Sequence, residues 1–141
     1  MERNLPNGQI SVYRVLDANL NRLREALRVI EEYYRFYLND ELISITFKTL
    51  RHSLIILEEG FGRKNLLANR DTQTDCFADV NRPEELQRTS HEDIVVASFK
   101  RAQEASRVIE EYSKVTEHVE LSEVAKKVRF SLYSVEKQIL G

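Results

Sequence analysis

Cysteine, proline, glycine and tryptophan are scarce: one Cys, two Pro, four Gly and no Trp in 141 residues. The single thiol, Cys76, excludes an internal disulfide and a thiolate zinc cluster, and its simplest reading is a structurally indifferent side chain. The glycines form no phosphate-cradling loop, so any nucleotide has to be held by side chains and helix ends. No His-Glu zinc motif and no nucleophile elbow are present. Neither sign of charge dominates, since 21 basic and 23 acidic residues leave a formal net charge of -2. Such a balance supplies no field that steers the chain to nucleic acid or an anionic membrane, and any anion binding must be local. Residues 1–10 contain Pro6, Asn7 and Gly8 but no apolar run, which reads as an N-terminal arm, neither a signal peptide nor a membrane span. The expectation is a cytoplasmic protein with no nucleic-acid or membrane partner.

What is present is amphipathic helix. With 42% hydrophobic residues, the chain suffices for one domain with its own core. After Ser11, a candidate N-cap, the residues Tyr13, Leu16, Leu20, Leu23, Leu27, Ile30, Tyr34 and Tyr37 follow helical spacing to about Asn39. Asp40 can cap a second helix, with Ile43, Phe47, Leu50, Leu54 and Leu57 on its seam and Gly60 as its stop. The short joint makes an antiparallel hairpin over residues 11–59. Ser90-His91-Glu92-Asp93 resembles a capping box and opens a third helix to about Lys114. A fourth runs from about Val119 with Leu121, Ala125, Val128, Leu132, Val135 and Ile139 inward, closing a second hairpin over 91–140. Residues 60–90 form a connection long for a bundle, expected to be ordered across one end, with Asn81 to Glu85 as a short helical turn.

The hairpins are copies. Arg-x-x-Glu-Ala-x-Arg-Val-Ile-Glu-Glu-Tyr occurs at Arg22 to Tyr33 and again, 79 positions on, at Arg101 to Tyr112. Shifted by 78, Phe47 to Leu54 aligns with Ala125 to Leu132, so the second helices match as well. Two such hairpins bury their seams against each other as an all-α four-helix bundle with approximate internal two-fold symmetry.

The repeated positions do not follow the leucine seam, which Ser106 and Ser113 interrupt in the second copy. They gather on a neighbouring face: Ala18, Arg22, Glu25, Ala26, Val29, Glu32 and Tyr33, matched by Ala97, Arg101, Glu104, Ala105, Val108, Glu111 and Tyr112. Pure packing would have kept the seam and let the charges drift. Two readings stand. Arg22 with Glu25, Arg28 with Glu32 and their copies could be ordinary ion pairs along a helix. Alternatively the arginines, set inside the apolar sector, line a pocket on the pseudo-two-fold axis where they grip phosphate while carboxylates hold Mg²⁺ or accept amino groups. Ser98 and Lys100 replace Asn19 and Asn21 in the second copy, an asymmetry suited to one asymmetric ligand. His52, opposite Phe130 in the alignment, reads as a packed histidine, with a phosphotransfer bundle as the lesser alternative. Arg70, Asp71 and Asp75 on the connection combine a phosphate-gripping group with possible magnesium ligands, against a turn-chemistry reading.

The run Tyr13-Arg14-Val15-Leu16-Asp17-Ala18-Asn19-Leu20-Asn21-Arg22, continuing to Tyr33, resembles the small helical domain that precedes thiamine-phosphate synthase in some fused bacterial proteins. The same family occurs alone as a monofunctional hydroxymethylpyrimidine-phosphate kinase. Leu50-Arg51-His52, Leu67 to Thr72 and Phe99 to Tyr112 carry the resemblance to about Tyr133. Two departures are Cys76-Phe77, where the family tends toward Val-Gly, and Ser98, where it usually has Asn. The resemblance implies transfer of the ATP γ-phosphoryl group to 4-amino-5-hydroxymethyl-2-methylpyrimidine phosphate, with Mg²⁺. The alternative is a non-catalytic helical partner of thiamine-phosphate synthase. Fitted to kinase chemistry, the residue types suggest Asp17, Glu25, Arg101 and Glu104 as catalytic and Asn19, Asn21, Arg22, Arg28, Arg51, Arg70, Lys100 and Arg107 as substrate- or nucleotide-binding. Asp71 and Asp75 would be the metal ligands. An extra apolar face on the second helix leaves room for a homodimer.

Overall fold

A computed structural model describes residues 8–77 and 87–141. Four long helices, α1 (Gly8–Glu32), α2 (Glu41–Phe61), α4 (His91–Ser113) and α5 (Leu121–Leu140), pack around one core, with a short α3 (Arg63–Ala68) in the connection. No strand occurs among the described residues, and no described helix is long and apolar enough to cross a membrane. The chain is all-α, as the periodicity predicts.

The seams are the core. Leu16, Leu20, Leu23, Leu27, Ile30 and Tyr34 of α1 are buried with Phe47, Leu50, Leu54 and Leu57 of α2. Val95, Phe99, Ala102 and Ile109 of α4 join Leu121, Ala125, Val128 and Leu132 of α5. Ser106 and Ser113, which break the second seam, stay fully buried because each hydroxyl donates back to its own helix, to the carbonyls of Ala102 (2.7 Å) and Glu110 (2.9 Å). A buried hydroxyl needs such an acceptor, and the preceding helical turn supplies it.

The ends of the elements differ from expectation in three places. α1 begins at Gly8, so Ser11 lies inside the helix and residues 8–10 belong to it rather than to an arm. Its far end widens into a π-helical turn, Tyr33–Tyr37, which closes with Leu38 N–H donating to the Tyr33 carbonyl (3.1 Å) and turns Tyr37 outward. Asn39 takes a left-handed φ of 53° there, a conformation asparagine tolerates. α2 runs through Gly60 and stops at Gly62, whose φ of 92° only glycine adopts freely. Gly60 instead lets α2 approach α5, since a Cβ there would lie 2.6 Å from Leu121 Cδ1. The caps at Asp40 and Ser90 form as expected, accepting the amides of Ile43 and Asp93 at 3.1 Å each. The turn expected at Asn81 to Glu85 lies outside the described residues.

The bundle is built around α1 and α4, which share its most extensive helix contact. They run antiparallel, because Tyr37 at the end of α1 meets His91 at the start of α4, Oη to Nδ1, at 3.3 Å. Thus the two copies of the repeated motif cross one interface in opposite directions.

Candidate functional site

Antiparallel copies related by a two-fold place equivalent residues face to face. The cavity on the α1–α4 interface has that symmetry: about 410 Å³, it is lined by Asn19, Arg22, Glu25, Ala26 and Val29 and by their equivalents Ser98, Arg101, Glu104, Ala105 and Val108. Ala26 and Ala105 are buried in its floor, where small side chains let the helices close up. Arg22, Arg101, Glu25 and Glu104 stand exposed around it, so the two arginines are not sunk in an apolar sector as the helical projection suggests. Among the described residues none of these four charges forms an ion pair within 4 Å. The ordinary-ion-pair reading therefore fails for Arg22 and Glu25. Arg28 bonds Glu31 (3.4 Å) rather than Glu32, and only Arg107 with Glu111 (3.3 Å) keeps the surface pairing expected of the motif. Buried Asn19 fixes itself on the Val15 carbonyl (2.9 Å) and its Oδ1 accepts a long bond from the Arg22 guanidinium (3.5 Å).

From Asn19, Arg22 and Glu25 the cleft continues between α1 and the connection into a second space of about 860 Å³, reaching Arg14, Asn21, Asn69, Asp71, Thr72 and Asp75. An ion pair between a buried carboxylate and an exposed guanidinium holds this wall. Asp17 accepts two bonds from Arg70, 2.8 Å from Nε and 2.9 Å from Nη2, which raises the Arg70 pKa. Arg14 donates to the Asp71 carbonyl (2.8 Å), drawing the next turn onto α1. Asp71 in turn accepts the Thr74 hydroxyl (2.6 Å) and amide (3.1 Å), bonds that hold its carboxyl below the usual carboxylate range. Asp75 accepts the Phe77 amide at 2.9 Å. The connection is thus held against α1 at Arg70, Asp71 and Thr74.

The structure brings Asp17, Asn19, Asn21, Arg22, Glu25, Arg70, Asp71, Asp75, Arg101 and Glu104 to one continuous cleft. Asp17 and Arg70 face each other there, the carboxylate buried and both engaged. Four other predicted residues lie elsewhere. Lys100 pairs with Glu136 of α5 (3.4 Å), Arg28 and Arg51 share Glu31, and Arg107 is held by Glu111. Among the described residues no three His, Cys, Asp or Glu side chains cluster as a ready metal-ligand set. His52 is exposed on α2 rather than packed.

Sequence reasoning passed over two features. Arg14, Asn69 and Thr72 line the extension, and Arg14 stands in the opening motif next to Tyr13. The second is a duplicated buried lock: Glu31 bonds Arg51 (2.7 Å) in the first hairpin and Glu110 bonds Arg129 (2.9 and 3.0 Å) in the second. Both glutamates sit in the repeated motif, and Arg51 aligns with Arg129, so the pairing was open to inspection.

The ThiD2 family model matches residues 14–138. The chain belongs to the ThiD2 family. It is 41% identical over 130 residues to a thiamine-phosphate synthase of Nostoc sp. (strain PCC 7120), covering 92% of this chain and 36% of that protein. A thiamine-phosphate synthase of Thermosynechococcus vestitus is 43% identical over 126 residues, 89% of this chain and 34% of its own length. One from Rhodopirellula baltica is 34% identical over 129 residues, 92% and 34% respectively. This ThiD2 chain therefore spans about a third of the curated relatives it matches. No solved structure matches it.

Proposed function

We propose that this ThiD2 chain is a thiamine-biosynthesis kinase that transfers the ATP γ-phosphoryl group to 4-amino-5-hydroxymethyl-2-methylpyrimidine phosphate. The observation that carries the reading is the cleft on the pseudo-two-fold axis, where Arg22, Arg101, Glu25 and Glu104 surround an alanine floor without pairing one another. Phosphoryl transfer asks for little covalent chemistry from the protein. It needs two anionic reactants held in line and their charge neutralised. Two guanidiniums without carboxylate partners can each take phosphate oxygens bidentately. Glu25 and Glu104 can accept N–H bonds from an aminopyrimidine, or hold Mg²⁺, which needs only one or two carboxylates when phosphates and water complete its shell. The donor set fits that ion. Magnesium, when bound, spreads the charge of the transferring phosphates; the chain itself supplies the two arginines, the oriented Asn19–Arg22 pair and a floor that admits a flat ring.

A second reading, that of a helical unit working as part of thiamine-phosphate synthase without its own turnover, is favoured by the comparisons. The relatives carry this segment within proteins of that name. Incubating the purified chain with ATP, Mg²⁺ and the pyrimidine monophosphate separates the two. The kinase reading expects the pyrimidine diphosphate and ADP in equal amounts. No product above the protein-free control, with both reactants verified, leaves the partner reading.

A further inference from the structure

The cleft is symmetric at its centre and asymmetric beyond it. At the axis every lining residue has its copy. The extension of about 860 Å³, by contrast, is formed among the described residues by α1 and the connection alone. The cause is in the sequence. Asp17, which recruits Arg70, is replaced 79 positions on by Val96, and Arg14, which holds the next turn, by Asp93. Further along the second copy, Lys100 and Gln103 are both bound to Glu136, so these side chains are committed to α5.

Resting on the kinase reading above, we infer that this broken symmetry divides the cleft into two subsites. The aminopyrimidine phosphate lies on the axis against Arg101, and the nucleotide lies in the extension over Asn21 and Thr72. The argument is one of size and chemistry. The nucleotide is the larger reactant, and the extension has about twice the volume of the axial pocket, 860 against 410 Å³. The axial floor of Ala26 and Ala105, rimmed by Glu25 and Glu104, suits a small flat ring bearing an amino group. Among the described residues, Asn19, Arg22 and Glu25 alone line both spaces. Arg22 therefore stands where the group crosses: the bond from the γ-phosphorus to its bridging oxygen breaks, ADP leaves, and a phosphate oxygen of the pyrimidine monophosphate forms the new bond. Arg101 belongs to the acceptor side only.

Calorimetric titration of the purified chain with a non-hydrolysable ATP analogue plus Mg²⁺, and separately with the pyrimidine monophosphate, tests the division. Arg101→Ala should weaken the monophosphate about tenfold or more, as expected for loss of a charge-assisted phosphate contact, and leave the nucleotide unchanged. Thr72→Trp, filling the extension from an exposed position, should do the reverse. Both side chains are exposed, and unchanged circular dichroism and Tm would establish that the variants fold. If Arg101→Ala weakens both ligands alike, or Thr72→Trp weakens the monophosphate, the subsite division is wrong while the wild-type kinase reaction stands. If the wild type binds neither ligand and makes no diphosphate, the kinase reading falls and the division with it.

Discussion

Glu110 and Arg129 meet at 2.9 and 3.0 Å with both side chains at most a tenth exposed. Burial works against the Arg129 charge, and the hydrogen bonds and charges of Glu110 and Tyr133 together outweigh it, so its pKa is raised. Removing one partner strands the other in the core. Arg129→Ala should therefore cost about 3–5 kcal/mol by urea denaturation. Replacing both, as Glu110→Leu with Arg129→Met, should recover most of that loss. The copy in the first hairpin is softer: Glu31 also bonds Arg28, and Arg51 Nε is buried without a partner, so Arg51→Ala should cost less than Arg129→Ala. Asp71 gives a pH signature. Because Thr74 holds its folded pKa below the ordinary value, the turn gains stability above the unfolded pKa and loses it as pH falls through the folded one. The Thr74 amide should then lose exchange protection on acidification, and Thr74→Ala should move the Asp71 titration upward by NMR. These pairings explain what the sequence hid at this scale. Arg28, Arg51, Lys100 and Arg107 have the right chemistry for phosphate; the motif's spacing foreshadows the Arg107–Glu111 pair and its duplication the Arg51–Glu31 pair, but nothing in residue type reveals that Glu31 rather than Glu32 holds Arg28 or that Glu136 holds Lys100.

Among the elements, α2 shows how helix limits are set. Gly60 reads as a glycine stop, yet a stop of that kind uses a positive φ, and it is Gly62 that has one. At Gly60 an alanine would gain about 1 kcal/mol of helix propensity, but its Cβ would fall 2.6 and 3.0 Å from the two methyls of buried Leu121. Overpacking of that kind costs about 1–3 kcal/mol, so Gly60→Ala should lower the urea midpoint, and adding Leu121→Ala should show strong coupling between the sites. The helices themselves, their order and their inward faces were legible because a seam at spacing three and four survives even two buried serines. The π turn was not, since Tyr33 to Tyr37 continues the same periodicity and only the outward turn of Tyr37 betrays it.

For the molecule as a whole, internal duplication does two things. It gives two hairpins that lock themselves in the same way, through Glu31–Arg51 and Glu110–Arg129, and it doubles one charged face across the α1–α4 interface. The face was visible in the sequence because its charges, not its leucines, repeat. Its extension was not visible, because it depends on Asp17 and Arg14 capturing a connection 53 to 57 residues away. The central claim is that this axial cleft is the working site. The most direct measurement is the single-turnover rate of pyrimidine diphosphate formation by Arg22→Ala and Arg101→Ala against wild type, with Tm recorded in parallel. Both arginines are exposed and unpaired, so Tm should hold while the rate falls by about 10²-fold or more, the order expected for losing one positioned charge on the transferring phosphates. Wild-type rates in both variants would contradict the claim.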